Sequence, residues 1–147
     1  EKNPAVVQQF EEEKLAGVMH EKFDTDVLYT FETLKNRGMK LGISSGNYQR
    51  VIDQFLAKEP VALDAVMGHE PNFEKGKAHF EFFMNQTGLK KEEILFVGDS
   101  IKDGERAYEF GVAFVGKEGI FSRERFLKEF GPHQKTIAKI SEILNLI

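Results

Sequence analysis

Asp99 and Asp103 stand four residues apart, just after the apolar run Ile94-Leu95-Phe96-Val97 and Gly98. A buried strand ending here delivers Asp99 to its carboxyl end, and Gly98 lets the backbone turn closely. One helical turn then brings Asp103 to the same side. Two carboxylates so near each other repel unless a cation neutralises them. Mg2+ suits such a pair because it takes oxygen ligands and keeps waters that a phosphate can displace. The plainer account is a helix N-terminus with Asp99 as its cap and Asp103 in solvent. The glycine, the apolar strand and the second acid together favour a site.

Two further clusters carry matching chemistry. Ser44 follows Lys40-Leu41-Gly42-Ile43, where a strand passes into a helix. Its hydroxyl, the amides of Ser45, Gly46 and Asn47, and the helix dipole would all favour an anion, although an ordinary N-cap serine looks the same. Lys75, in Asn72-Phe73-Glu74-Lys75-Gly76-Lys77, stands at a loop-to-helix junction from which it can reach a phosphate as a point charge. Lys77 competes for that role, and a solvated surface lysine is the plain alternative. The chain's one Asp-x-Asp is Asp24-Thr25-Asp26, preceded by the polar stretch Met19-His20-Glu21-Lys22-Phe23 and followed at once by a helix. A central buried strand would be apolar there, so an N-cap role for Asp24 or Asp26 is favoured over a catalytic one.

The elements that must position these residues follow from periodicity. Asn3-Pro4 reads as a helix start, with a helix running to about Lys22. Val27, Phe31 and Leu34 recur at helical spacing, and Gly38 stops that helix. Met39–Ile43 reads as a strand, Ser44–Asn47 as a turn, and Val51, Ile52, Phe55 and Leu56 as the inner face of the next helix. A strand over Leu63–Gly68, a helix over Lys75–Gln86, strands at Ile94–Val97 and Val112–Val115, and a helix over Asp103–Phe110 follow. Ser122 caps a helix to about Phe130, and Ile137, Ile140 and Leu144 give a last helix its stripe. Alternating strands and helices imply a parallel sheet covered on both faces, with ligands beyond the carboxyl ends of its strands.

In this order, Ile43-Ser44-Ser45-Gly46, Lys75-Gly76 and Val97-Gly98-Asp99-Ser100-Ile101-Lys102-Asp103 resemble motifs two, three and four of haloacid dehalogenase phosphatases, phosphoglycolate-phosphatase-like members in particular. The resemblance implies an α/β fold, a Rossmann-like three-layer core with a parallel sheet. It implies that Ser44 hydrogen-bonds the transferring phosphoryl group, with Ser45, Gly46 and Asn47 beside it. Lys75 would hold phosphate and nucleophile, and Asp99 and Asp103 would hold Mg2+. The family's first motif, a buried central strand followed by two aspartates, has no counterpart here. Residues 1–23 are therefore expected to be a helical remnant of a cap domain, and residues 24–147 a core without its central strand. The slot would then be filled by a missing N-terminal segment, by another polypeptide or by self-association, or the sheet would be rearranged.

Composition narrows the rest. The 147 residues carry a net charge of −4 and contain no cysteine. That excludes disulfides and thiolate chemistry and gives no basic footprint for nucleic acid or membrane. No apolar run approaches the ~20 residues of a membrane span, and a cytoplasmic location is expected. His20, His69, His79 and His133 lack metal-ligand spacing; His79 reads as packing or surface, and His69 as a pocket-lining residue at most. Fourteen phenylalanines without tryptophan point to an aromatic core. The expected function is a Mg2+-dependent phosphomonoester hydrolase acting on a small phosphorylated metabolite. The rival is a non-catalytic module that binds phosphate and metal. A receiver-domain reading fails because no acidic pair follows an apolar strand early in the chain.

Overall fold

The computed structural model describes residues 5–9, 23–59 and 61–147, the first of these through the backbone alone. In chain order the elements are β1 (Ala5–Gln9), α1 (Thr25–Asn36), β2 (Lys40–Tyr48), α2 (Gln49–Ala57), β3 (Ala65–His69) and α3 (Lys77–Thr87). After a 3-10 turn at Lys91–Glu93 come β4 (Ile94–Gly98), α4 (Ile101–Phe110), β5 (Ala113–Lys117), α5 (Arg123–Phe130), β6 (Thr136–Ile137) and a 3-10 helix at Ile140–Asn145. The six strands form one sheet in the order β3-β2-β1-β4-β5-β6, with every strand pair parallel. All their carboxyl ends therefore lie along one edge.

Period-two alternation along the strands splits the core into two layers. Leu41, Ile43, Leu95 and Val97 pack on one face with Val27, Phe31 and Leu34 of α1, Ile52 and Phe55 of α2, and Ile140 and Ile143. Met67, Ile94, Phe96 and Phe114 pack on the other with Phe80 and Phe83 of α3, Ala107 of α4 and Phe126 of α5. The aromatic core is real: the rings of Phe80 and Phe96 meet edge-on at 5.0 Å. This is the expected three-layer Rossmann-like α/β architecture. Among the described residues, no helix is long and apolar enough to cross a membrane.

Three expectations are corrected. Ala5–Gln9 is a strand, not the start of a helix reaching Lys22, and residues 10–22 lie outside the described residues. β1 sits between β2 and β4, with Ala5 opposite Lys40 on one side and Ile94 on the other. The inner edges of β2 and β4 would otherwise leave rows of backbone groups unpaired, and the chain's own residues supply their partners. Next, Ser44–Asn47 is not a turn opening a helix; β2 continues to Tyr48 through an irregular stretch, and α2 starts at Gln49. Last, the apolar stripe Ile137, Ile140 and Leu144 belongs to a two-residue strand and a 3-10 helix instead of an α-helix.

Candidate active site

The strand β4 is buried along its whole length and ends at Gly98. Asp99 follows, buried, and Ser100 caps α4 by accepting from the Asp103 amide at 3.0 Å. The cap is thus Ser100 instead of Asp99, and Asp103 is fully buried instead of facing solvent. Gly98 has to be glycine: a methyl group there would lie 2.6 Å from Asp103 Cβ.

Two cations converge on Asp103. Lys75 Nζ is 3.3 Å and Arg106 Nη1 3.2 Å from Oδ1. Lys77, the competing lysine, is exposed at the first turn of α3. Gly76, at φ 103°, makes the bend between them, and a side chain there would crowd the stem of Arg106 at 3.4 Å. The other oxygen, Asp103 Oδ2, is buried and accepts nothing. Leaving a buried acceptor unsatisfied costs about 1–3 kcal/mol, so this atom suits a hard cation. No three acidic or histidine side chains among the described residues gather into a cage. Asp99 and Asp103 therefore fit an ion that binds through one or two carboxylates and keeps its waters, as Mg2+ does.

Beside this cluster an open cleft of about 530 Å³ is lined by Gly46, Asn47, Tyr48, His69, Glu74, Lys75 and Arg106. Its walls come from the carboxyl ends of β2 and β3, the loop before α3, and α4, and ligands of such sheets bind beyond the carboxyl ends of the strands. Asn47 Nδ2 is a buried donor without a partner. The rings of Tyr48 and His69 meet at 5.5 Å and form an aromatic wall. His69 thus lines the pocket.

The two serines of β2 differ. Ser44 Oγ lies 2.7 Å from His79 Nδ1, and His79 Nε2 lies 2.9 Å from the Gly68 carbonyl. His79 is fully buried, and burial pushes its imidazole down to about 4, with the nearby Lys75 charge adding to the effect. The ring is therefore neutral at pH 7. A carbonyl can only accept, so Nε2 carries the proton and Nδ1 accepts from the Ser44 hydroxyl. That commits the one Ser44 hydrogen. Ser45 Oγ accepts from the Asn47 amide at 3.0 Å, which leaves the Ser45 hydrogen available.

Asp24 and Asp26 do not join the site. Asp24 caps α1, accepting from the Val27 amide at 2.9 Å. Asp26 accepts from the Ser141 amide at 3.0 Å, and the Ser141 hydroxyl above all, with that amide, lowers its pKa. Sequence reasoning missed Arg106 and set His79 aside as packing or surface. Arg106 was findable: it lies three residues after Asp103 on one helix, the spacing that brings side chains together. No local pattern marks the bond from His79 to Ser44.

The family model for haloacid dehalogenase-like hydrolases matches residues 1–117. Glyceraldehyde 3-phosphate phosphatase of Methanocaldococcus jannaschii is 35% identical over 95 residues, covering 58% of this chain and 40% of that protein. The chain thus spans less than half the length of this curated relative. A HAD-superfamily hydrolase from Ehrlichia chaffeensis superposes with a TM-score of 0.73 at 11% identity, covering 99% of this chain and 96% of the other. A predicted phosphoglycolate phosphatase from Haemophilus somnus gives 0.65 at 22% identity, covering 83% and 56%. A haloacid dehalogenase-like family protein from Streptococcus pneumoniae gives 0.71 at 16% identity, covering 85% and 60%. At these identities the structures speak for the fold.

Proposed function

Because the chain belongs to the haloacid dehalogenase-like hydrolase family, we propose that it forms the core of a Mg2+-dependent phosphatase acting on a small phosphorylated metabolite. The observation that carries the reading is the buried Asp103, with Lys75 and Arg106 on one oxygen and the other oxygen bare, at the carboxyl edge of the sheet. Asp99 and Asp103 would hold Mg2+, which when bound neutralises phosphoryl oxygens. Lys75 binds the phosphate as a point charge. Ser45 replaces Ser44 as the hydroxyl donor, since the Ser44 hydrogen is taken by His79. Asn47 Nδ2 and the Gly46 amide complete the cradle, and Arg106 adds a second positive charge to the cleft wall.

The chemistry implied by the family resemblance begins with an aspartate attacking phosphorus and a second acid protonating the leaving group. Ala5–Gln9 contains no acid, although it occupies the central slot, and Gln9 stands opposite Ser44. Asp24 and Asp26 are engaged elsewhere. The proposal therefore assigns no nucleophile among the described residues. The identity of β1 also favours a second reading, a non-catalytic module that binds phosphate and metal.

Hydrolysis of an aryl phosphate with Mg2+ separates the two, comparing this chain with one extended by the coding sequence that precedes it. Turnover confined to the extended chain supports the hydrolase. Background rates in both, with phosphate and Mg2+ still bound, support the module. Turnover by this chain that is lost in Asp24→Asn would overturn the assignment of Asp24 as a cap.

A further inference from the structure

The ladder between β2 and β3 opens at the cleft. Ser44 pairs with Met67, and the next pair is Tyr48 with His69. Ser45, Gly46 and Asn47 on one strand thus face Gly68 alone on the other. Such a wide irregularity leaves backbone groups without ladder partners. Both groups of Gly68 are taken by side chains instead: its amide donates to Gln49 Oε1 at 2.6 Å, and its carbonyl accepts from His79 Nε2 at 2.9 Å. The other nitrogen of the same ring accepts from Ser44, the last residue before the opening. Phe73 packs on the imidazole at 4.6 Å. One buried ring from α3 therefore ties the point where β2 leaves the ladder to the one residue of β3 that spans the gap.

We propose that His79 is a positioning residue for anion binding. It sets the shape of the Ser45–Asn47 irregularity and so aims the Ser45 hydroxyl, the local amides and Asn47 Nδ2 at the cleft. This rests on the phosphate reading above. His79 itself touches no ligand. It acts through Ser44 and Gly68, and it determines which serine has a hydrogen to give.

The test is calorimetric titration of inorganic phosphate, with Mg2+ present, into the wild type, Ser44→Ala, His79→Phe and the double variant. Each single variant is expected to bind about tenfold more weakly, the worth of one buried hydrogen bond. The double variant should bind no more weakly than His79→Phe, because both changes cut the same bond. His79→Asn, which can keep an acceptor for Ser44, should recover part of the loss. A long-range 1H–15N correlation spectrum should show His79 with a protonated Nε2 and a bare Nδ1, and the Nδ1 signal should move in Ser44→Ala.

Wild-type binding that survives both Ser44→Ala and His79→Phe overturns the proposal and leaves the phosphate site standing. A proton on Nδ1 overturns it as well. A wild type that binds no phosphate removes the site reading and the proposal together. Ser44→Ala changes little volume and keeps the test decisive if His79→Phe does not fold.

Discussion

Acidification should destabilise this fold through a single histidine. In the folded chain His79 is neutral, with its pKa held at about 4 by burial against the ordinary histidine value of 6.5. As pH falls below 6.5 the unfolded chain takes up the proton first, so protonation lowers the free energy of the unfolded state and not that of the folded state. Stability contributed by the neutral ring is complete above pH 6.5 and is lost progressively down to about pH 4. Below that both states are protonated and nothing further is lost. The difference in pKa corresponds to about 3 kcal/mol, a sizeable part of the roughly 5–15 kcal/mol that holds a domain together. Urea denaturation of the wild type and His79→Phe between pH 7.5 and 4 isolates this contribution, because the other titrating groups are common to both. At pH 7.5 the variant should be less stable, since it strands Ser44 and the Gly68 carbonyl. The gap should narrow by about 3 kcal/mol as pH falls through the window. A gap that stays constant would show that His79 is charged in the fold or accessible to water, and the tautomer argument would go with it.

Other outcomes follow from single contacts. Gly98→Ala places a methyl group 2.6 Å from Asp103 Cβ, which should cost about 1–3 kcal/mol in a thermal melt and weaken Mg2+ binding in a titration. Lys75→Ala should weaken phosphate binding by roughly tenfold or more, as expected for a charge-assisted contact, whereas the exposed Lys77→Ala should leave it unchanged. Asp24→Ala removes the α1 cap and should cost about 1 kcal/mol without altering phosphate affinity; Asp24→Asn should be close to neutral on both measures. Phe80→Ala, in the ring contact with Phe96, should cost about 3–5 kcal/mol in urea denaturation.

Where local signals decide structure, the sequence was readable. Ile94–Val97 is buried on both faces and flagged itself by an unbroken apolar run. Gly38 and Gly88 end their helices at positive φ, as glycine stops do. Ser122 caps α5 by accepting from the Arg125 amide. The acid pair was legible because Gly98, the strand and the helical turn sit together in the chain. β1 was not, since Val6-Val7 beside Gln8-Gln9 makes no apolar run and Asn3-Pro4 mimics a helix start. Its state is decided by edges that the chain presents at Lys40–Ser44 and Ile94–Val97, far along the sequence. The reach of β2 past Ser44 was hidden for a similar reason: Ser-Ser-Gly-Asn has turn chemistry, and the pairing of Tyr48 with His69 depends on a distant strand. The bond between Ser44 and His79 was hidden because His79 comes from another layer of the fold.

The central placement of β1 has a kinetic consequence. β2 and β3 form one local unit, β4, β5 and β6 another, and the hydrogen-bonded connection between the two halves of the sheet runs through Ala5–Gln9. During synthesis this strand can pair with β2 early, yet its other edge waits until Ile94–Gly98 has been made. At common elongation rates that interval is on the order of ten seconds. Closing the sheet then means joining residues of large sequence separation, a step of high contact order and correspondingly slow folding. Until it happens, the free edge of Ala5–Gln9 is open to strands of neighbouring nascent chains, so the yield of native protein should fall with the crowding of chains on the same message.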